Sequence, residues 1–504
     1  MINILSYLEQ TAERLPGKTA VRDPETSCTF RELEEQARRI GSALAVRCPP
    51  RSPIILLMEK SVGALQALLG VVYAGCFFVS VSPEQPDGRI AQILKVADAP
   101  AVLTDRPERL QNLPFSGTVI TFAEAVEAET DKLLLEKIRE EALDTDPLYC
   151  NFTSGSTGTP KGVLVCHRSV IDFIDCFPEL FGITEADVIG NQAPFDFDVS
   201  VKDIWSALKT GATLVLIPKR MFSVVTELLD YLCDSGVTTL IWAVSALCLV
   251  AQFRGLTYRV PTTVNKILFS GEQMPVKYLH LWQRYLPDAH YVNLYGPTEI
   301  TCNCTYYRIT RPFSEEEQIP IGKPFPNERV FLLDEQDHPV TEPGKLGEIC
   351  VSGTALALGY YNAPEQTNRV FVPNPLNAAF PERIYRTGDL ARFNGAGELC
   401  FVGRKDFQVK YMGHRVELGE IEAALNRRPE IRSACCGYDR NRNRLVAFYD
   451  GEIEPLELKK RLYGILPTYM IPGVFRHLDR IPLTANGKID RKQLMLTETG
   501  GGAK

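Results

Sequence analysis

The spacing of apolar and polar positions alternates between helical and strand-like over the first 320 residues. In Phe30–Leu44 the apolar residues recur at helical spacing, which predicts an amphipathic helix. Short apolar runs, which predict buried strands, lie at Ile54–Met58, Ala101–Thr104, Val163–Val165, Leu214–Ile217 and Lys266–Phe269. Helices alternating with such strands predict an α/β fold whose sheets are largely parallel and buried on both faces.

The pattern changes near residue 320, where Gly and Pro become frequent. Short β-like runs at Val330–Leu333, Glu348–Val351 and Glu398–Val402 predict a more antiparallel sub-domain. A compact tail begins near residue 407. Its alternating strand-like and helical segments lie at Gln408–Tyr411, Leu418–Asn426, Leu445–Tyr449 and Pro455–Leu466.

One stretch has nearly the length of a membrane span, because Gly63–Val81 is 19 residues without a charge. It contains glycines and polar residues, and Pro83 follows it. These features favour a buried helix to about Ala74, a break at Gly75 and a buried strand over Phe77–Val81. We therefore predict no membrane contact.

Length and composition narrow the class of protein. The 504 residues correspond to about three domain units, since domains hold roughly 150 residues. Lys and Arg number 55 against 62 Asp and Glu, and a net charge of −7 without a basic run argues against nucleic-acid binding. The 14 cysteines include no C-x-x-C pair, so we expect reduced, mostly buried thiols in a cytoplasmic protein.

The segment with the clearest chemistry is Thr153–Gly162, which reads TSGSTGTPKG. Its glycines let the backbone approach an anion closely, and its hydroxyls and Lys161 add donors and a positive charge. It is not a Walker A loop, because Pro160 precedes the lysine where that loop has glycine. A flexible surface loop is the alternative, but the density of these residues favours phosphate binding.

This segment resembles the phosphate loop of the adenylate-forming superfamily. That superfamily includes acyl-CoA synthetases, firefly luciferase and the amino-acid adenylation domains of nonribosomal peptide synthetases. Further motifs similar to the family's follow in its order and cover nearly the whole chain. They are NLYGPTE at Asn293–Glu299, GEICVSGTALALGYYNAPEQT at Gly347–Thr367, YRTGD at Tyr385–Asp389, GRKDFQVKYMGHRVELGEIE at Gly403–Glu422, LPTYMIP at Leu466–Pro472 and NGKIDR at Asn486–Arg491.

The resemblance implies a fold and a reaction. The fold is a large N-terminal body over residues 1–405, with two α/β sub-domains and a small β-barrel-like sub-domain, and a small mobile α+β C-terminal domain over residues 406–504. In the reaction a carboxylate attacks the α-phosphate of ATP, which gives an acyl-adenylate and pyrophosphate. Both reactants are anions, so the enzyme must offset their repulsion and stabilise negative charge in the transition state.

The family's ATP and Mg²⁺ ligands carry over to matching positions. Glu299 would bind Mg²⁺, and Thr298 would hydrogen-bond the α-phosphate. Tyr295 would lie against adenine, and Asp389 would accept the ribose hydroxyls. The implied ATP site comprises Thr153, Ser154, Gly155, Ser156, Thr157, Gly158, Lys161, Gly271, Glu272, Gln273, Asn293, Tyr295, Gly296, Thr298, Asp389, Arg404 and Lys488. The implied catalytic residues are Lys161, Thr298, Glu299 and Lys488.

The resemblance implies that two residues of the C-terminal part, Lys488 and Asp406, have roles linked to a movement of that part. Lys488 would bridge the substrate carboxylate and the α-phosphate, although an isolated lysine in a turn is usually a solvated surface residue. Asp406 resembles the family's hinge. One orientation would place Lys488 in the site for adenylation, and the other would bring Lys410–Glu417 against the site for thioester formation.

The segment Phe195–Trp205 indicates the substrate class. Ser200 and Asp203 form a capping-box pattern, which predicts a helix start there and places Asp198 just before it, pointing into a pocket. In amino-acid adenylation domains an aspartate here pairs with the α-ammonium of the substrate, and a helix cap is the alternative. The pocket carried over from the family comprises Asp198, Val199, Lys202, Ala243, Leu268, Ser270, Leu294, Cys302 and Asn303, with Lys488.

This pocket contains no bulky aromatic residue, so we expect a small or polar substrate such as alanine, serine or cysteine. The stretch Asn191–Trp205 is similar to D-alanine–D-alanyl carrier protein ligases, but Ser270 stands where those ligases carry cysteine. Lys202 also adds a charge at a position that is usually uncharged. It could bind a side-chain carboxylate, or it could pair with Asp203, Asp198 or solvent.

The motifs together imply an ATP-dependent amino-acid adenylating ligase, and a monomer is expected. No carrier-protein motif follows the last family motif, so the expected acceptor is a separate carrier protein bearing phosphopantetheine. An acyl- or aryl-CoA synthetase is the runner-up, against which Asp198 argues. A non-catalytic nucleotide or amino-acid sensor is a third class, against which Lys488, Glu299 and Asp389 argue.

Overall fold

A seven-stranded sheet forms the first α/β sub-domain. The computed structural model describes residues 2–155, 159–406, 408–482 and 489–500. In spatial order the strands are Gly359–Tyr360, Lys161–Cys166, Pro147–Thr153, Phe77–Val81, Pro53–Leu57, Ala101–Thr104 and Thr118–Thr121. The last five run parallel, as the buried apolar runs predict.

A nine-stranded sheet forms the second α/β sub-domain. In spatial order its strands are Lys323–Pro324, Thr305–Arg308, His290–Tyr295, Lys266–Ser270, Thr239–Ala243, Val188–Asn191, Thr213–Leu216, Thr19–Arg22 and Ser27–Thr29. The six central strands are parallel, so their carboxyl ends meet at one edge. In open α/β sheets this edge is where ligands bind.

Helices cover the two sheets. They span Ser6–Arg14, Phe30–Ala45, Val62–Tyr73, Asp87–Ala97, Phe122–Val126, Lys132–Glu140, His167–Phe181, Val199–Thr210, Val225–Asp234, Val244–Gln252, Gly255–Tyr258 and Val276–Tyr285. The predicted helix at Phe30 begins with a capping box between Thr29 and Glu32, and it packs closely on Val62–Tyr73. A Cβ at Gly41 would lie 2.6 Å from Tyr73 Cβ, so glycine permits this close packing.

The uncharged stretch Gly63–Val81 is a buried helix, a turn and a buried strand, as predicted. The helix ends at Tyr73, and Gly75 adopts a φ of +70°, which glycine tolerates best. The strand Phe77–Val81 lies inside the seven-stranded sheet. No helix within the described residues is long and apolar enough to cross a membrane.

The predicted antiparallel sub-domain is a five-stranded sheet. Its strands are Glu328–Leu333, Gly347–Gly353, Phe371–Pro373, Arg383–Phe393 and Leu399–Arg404, with a helix at Pro364–Val370. The long strand Arg383–Phe393 pairs antiparallel with three of the others.

The C-terminal part is a small α+β unit with its own apolar core. A hairpin of Gln408–Tyr411 and His414–Glu417 precedes a three-stranded sheet of Ile431–Asp439, Arg444–Gly451 and Val474–His477. Its helices are Leu418–Asn426, Pro455–Leu462 and Arg491–Gly500. The helix predicted over Pro455–Leu466 was too long, because it ends at Leu462, just before Gly464.

Candidate active site

The carboxyl edge of the nine-stranded sheet gathers most of the predicted substrate and adenine residues. Ala243 and Ser270 end neighbouring parallel strands and lie in register with each other. Asn293 lies in register with Phe269 on the next strand, which ends at Tyr295. Leu268 and Leu294, on these same strands, are buried. The fold therefore brings together residues that lie far apart in the sequence.

Glu299 lies at the centre of a buried ionic cluster. It sits in a one-turn 3-10 helix, Thr298–Ile300, and is fully buried. Its Oε1 accepts a hydrogen bond from the Tyr360 hydroxyl at 2.6 Å and lies 4.0 Å from Lys161 Nζ. Its Oε2 accepts one from the Arg415 guanidinium at 2.6 Å.

Two neighbouring cations keep the Glu299 carboxylate ionised. Burial alone raises the pKa of a carboxyl group, but Arg415 and Lys161 outweigh burial and lower the pKa of Glu299 to about 2. Burial and Arg415 lower the pKa of Lys161 to about 8, against the opposing effect of Glu299. An ionised carboxylate beside a lysine is suited to a metal-bound polyphosphate.

Asp389 is held by two side chains from different elements. Tyr295 donates its hydroxyl to Asp389 Oδ2 at 2.5 Å, and Arg404 donates to Oδ1 at 2.6 Å. Arg404 also binds both carboxylate oxygens of Asp406, at 2.6 and 2.8 Å. The predicted ribose ligand and the predicted hinge therefore share one guanidinium.

The C-terminal hairpin lies against the phosphate loop. Ser154 Oγ donates to the Arg415 carbonyl at 2.8 Å and accepts from the Glu417 amide at 3.2 Å. The Gly155 amide donates to Glu420 Oε2 at 3.2 Å. Thr153 ends the strand that precedes the loop. The predicted residues Ser156, Thr157 and Gly158 lie outside the described part of the chain.

The hairpin also reaches the predicted adenine site. Its Gly413 amide donates to Glu272 Oε1 at 2.6 Å, and Lys410 Nζ lies 5.6 Å from the centre of the Tyr295 ring. The side-chain amide of Asn293 donates a hydrogen bond to the Pro320 carbonyl at 2.8 Å. Three more predicted residues surround this region: Gly271, with a φ of +100°, the exposed Gln273, and Gly296, which packs on the backbone of Asn303.

Asp198 lies directly before the helix Val199–Thr210. The predicted capping box is wrong, because the helix begins before Ser200, whose hydroxyl donates to the Phe197 carbonyl. The Asp198 side chain makes no capping hydrogen bond either. Burial raises the pKa of the Asp198 carboxyl group, and the nearby Thr298 hydroxyl opposes that effect. This arrangement leaves the helix-cap alternative without support.

The rest of the predicted pocket surrounds Asp198. Val199 follows Asp198 in the chain, and Cys302 Sγ donates a hydrogen bond to the backbone carbonyl of Asp198 at 2.7 Å. Lys202 is buried one turn further along the helix. Thr301 and Cys302 both have a positive φ, 51° and 74°, which strains a non-glycine backbone. The Thr301 hydroxyl stabilises this turn by donating to the Ala355 carbonyl at 2.7 Å.

Sequence reasoning missed several residues of the site. Tyr360 and Arg415 lie inside recognised motifs, but no role was predicted for either side chain individually. Arg89 forms a buried ion pair of 2.6 Å with Glu420, across 331 positions of sequence. A single arginine on a helix gave no signal of this contact. Lys488 lies outside the described residues, so its predicted position stays a prediction.

A cavity of about 750 Å³ opens beside this cluster. Its size falls within the range of small-molecule sites, roughly 300–1,000 Å³. Cationic side chains predominate over carboxylates around it, which suits an anionic ligand. They are Lys161, Arg369, Arg386, Arg404, Lys405, Arg415 and Arg491.

Comparison with known proteins identifies the family. A family model described as AMP-binding enzyme matches residues 8–361, and the chain belongs to this family. It is 34% identical over 500 residues to tyrocidine synthase 2 of Brevibacillus parabrevis, covering 97% of this chain and 13% of that protein. It is 35% identical over 496 residues to gramicidin S synthase 2 of Brevibacillus brevis, covering 97% and 11%. The chain thus spans less than a fifth of either relative.

A solved structure agrees with this assignment. An NRPS protein containing adenylation and PCP domains, bound to a vinylsulfonamide inhibitor, matches with a TM-score of 0.81 and 27% identity. The match covers 98% of this chain and 84% of that chain. The findings confirm the predicted superfamily and the α/β fold with its large N-terminal body and smaller C-terminal part. The protein is therefore an AMP-binding enzyme of the adenylate-forming superfamily.

Proposed function

We propose that the protein activates an amino acid with ATP and passes it to a carrier protein. The first step forms aminoacyl-AMP and releases pyrophosphate. The second transfers the aminoacyl group from AMP to the phosphopantetheine thiol of a separate, cytoplasmic carrier protein, which forms a thioester and releases AMP. A small or polar side chain, as in alanine, serine or cysteine, suits a pocket with Ser270 and Asn303 and without a bulky aromatic residue.

The observation that carries the proposal is the position of the Asp198 carboxylate, which caps no helix and lies beside Thr298. Thr298 directly precedes Glu299, so this position puts the proposed amino-acid pocket next to the ionic cluster around Glu299. An α-ammonium paired with Asp198 would place its carboxylate next to that cluster. An amine-binding carboxylate beside a phosphate site suits amino-acid adenylation and has no purpose for a fatty or aryl acid.

Glu299 fits the proposed Mg²⁺ site. Mg²⁺ typically binds one or two carboxylates together with phosphate oxygens, and within the described residues no larger cluster of metal-ligating side chains exists. When bound with ATP, the ion would neutralise charge on the phosphates. Arg415 occupies Oε2 of Glu299 in this orientation, so we infer that Arg415 withdraws before the metal binds.

We divide the chain into a body, residues 1–405, and a mobile C-terminal domain, residues 406–504, that rotates about Asp406. The hairpin around Lys410–Glu417 contacts the site through Ser154, Glu272 and Glu299. We therefore assign this arrangement to the orientation for thioester formation. Similarity to a protein with adenylation and PCP domains supports a carrier protein as the acceptor.

Amino-acid-dependent exchange between ATP and pyrophosphate tests the proposal. The panel contains the twenty L-amino acids, D-alanine, and fatty and aryl acids. We expect exchange with an amino acid and none with the acids that lack an amino group. Exchange with D-alanine alone would indicate a D-alanine–D-alanyl carrier protein ligase, and exchange with fatty or aryl acids alone would refute the proposal.

Asp198→Asn should lower kcat/KM for the amino acid by roughly 100-fold or more, because it removes the charge that pairs with the ammonium. Asp196→Asn is the matched control, since Asp196 lies two residues away and contacts Gln85 at 3.3 Å. Equal activity of the two variants would contradict the assigned role of Asp198.

A further inference from the structure

Lys202 is a fully buried lysine among the residues assigned to the proposed amino-acid pocket, with 0% of its surface exposed. It lies four residues after Asp198, so both side chains project from the same face of the helix Val199–Thr210. The pocket therefore has a carboxylate at one position and an ammonium one helical turn further along. Complete burial rules out the alternative in which solvent satisfies Lys202.

Within the described residues, the Lys202 ammonium uses only part of its capacity to donate hydrogen bonds. Its Nζ donates to Asn303 Oδ1 at 2.7 Å, whereas an ammonium carries three donors. No carboxylate among the described residues lies within the 4.0 Å ion-pair distance of it. Asp203, its neighbour, accepts a hydrogen bond from the Asn191 amide at 2.6 Å instead.

An ammonium buried in this way carries a substantial free-energy cost unless an anion reaches it. Burial lowers the pKa of Lys202, and the neighbouring Cys302, Asp203 and Asp198 side chains oppose that effect only in part. The neighbouring groups Asn303 and Ser270 are polar and buried, at 2% and 5% exposure. Leu268 and Leu294, which also belong to the proposed pocket, are buried and apolar, so they offer Lys202 no counter-charge.

The geometry points to a substrate whose side chain ends in a carboxylate, which Lys202 binds with help from Asn303. This inference rests on the proposed activation of an amino acid and replaces the small neutral side chains considered there: the substrate is a dicarboxylic α-amino acid. Asp198 would pair with its α-ammonium and Lys202 with its side-chain carboxylate. A neutral side chain such as that of alanine would leave Lys202 charged and unpaired, so it would bind poorly.

The test compares each acid with its amide in the exchange assay with ATP and pyrophosphate. Aspartate and asparagine, and glutamate and glutamine, differ by one charged group at nearly constant shape. In the wild type we expect kcat/KM for one of the two acids to exceed that for its amide by roughly 100-fold, as expected for a buried charged hydrogen bond. A wild type that prefers the amides or alanine overturns the inference and leaves the proposed function intact.

Lys202→Met keeps the length of the side chain and removes its charge. It should lower kcat/KM for the acid by roughly 100-fold while raising or preserving that for the amide. Lys209→Met is the matched control, because Lys209 lies on the same helix and pairs with Asp175 at 2.7 Å, outside the pocket. If Lys202→Met does not fold, Lys202→Arg serves as the test. Because arginine keeps the positive charge, we expect this variant to keep the higher kcat/KM for the acid than for the amide.

The failures are distinguishable. If no amino acid supports exchange, the proposed function fails. If exchange occurs but Lys202→Met changes acid and amide equally, the lysine is structural and the inference fails alone.

Discussion

At the scale of single residues, Glu299 shows how this site keeps a fully buried carboxylate ionised. Burial disfavours its charge, yet two cations and the Tyr360 hydroxyl lower its pKa to about 2. Arg415 comes from the C-terminal part, whereas Lys161 belongs to the body. The charge of Glu299 therefore depends partly on where the C-terminal part lies.

Glu299→Gln tests this electrostatic balance through stability. The pKa of Glu299 in the folded protein, about 2, lies below its ordinary value of 4.5, so ionised Glu299 stabilises the fold above about pH 4.5. That contribution, on the order of 3 kcal/mol, is lost as the pH falls from about 4.5 towards 2. In urea unfolding, we expect the advantage of the wild type over Glu299→Gln to be constant near pH 7 and to shrink below about pH 5. The exposed Glu335→Gln controls for loss of a carboxylate, and a pH-independent difference for Glu299→Gln would contradict this account.

At the scale of elements, the C-terminal hairpin places protein groups where the ligands of the proposed reaction would bind. The Arg415 guanidinium lies on Glu299, where we propose that Mg²⁺ binds. The Glu420 carboxylate accepts from the Gly155 amide of the phosphate loop, as a phosphate oxygen would. We infer that bound Mg·ATP and this hairpin position exclude each other.

Arg89→Ala tests the docked position. The buried Arg89–Glu420 pair joins the helix Asp87–Ala97 of the body to the C-terminal part, and removing one partner of a buried pair costs roughly 3–5 kcal/mol. We expect thioester formation on the carrier to fall by roughly 100-fold or more, while ATP–pyrophosphate exchange stays near wild type. Lys95→Ala, an exposed lysine on the same helix, is the control. Equal loss in both half-reactions would contradict a role confined to docking.

The sequence pattern predicts the elements well because each depends on local spacing. Ala101–Thr104 and Leu418–Asn426 have the predicted bounds, and apolar periodicity alone suffices for them. The start of the helix at Val199 was missed because Ser200 and Asp203 have the composition of a capping box without its geometry. Contacts such as Arg89 with Glu420 depend on the placement of one domain on another, which no local pattern encodes.

At the scale of the whole molecule, the proposed function requires one site to serve two reactions with one small C-terminal domain. In the orientation seen, the hairpin from Lys410 to Glu417 lies in the site. We propose that rotation about Asp406 withdraws it and brings Lys488 to the reacting carboxylate and α-phosphate. Asp406 is already held by Arg404, whose other partner is Asp389, so the proposed hinge is connected to the proposed ribose ligand.

Lys488→Ala separates the two orientations. Losing a group that stabilises charge only in the transition state typically costs 10²–10³-fold, so we expect exchange to fall by roughly that factor. ATP binding should largely persist, because Lys488 is only one of many residues in the implied ATP site. Transfer from supplied aminoacyl-AMP to the carrier should persist as well, because the proposed second orientation does not use Lys488. Lys492→Ala, an exposed lysine four residues on, should leave both half-reactions unchanged. Exchange near the wild-type rate in Lys488→Ala would contradict the catalytic role assigned to this lysine. Loss of both half-reactions would show that adenylation and transfer do not use separate orientations.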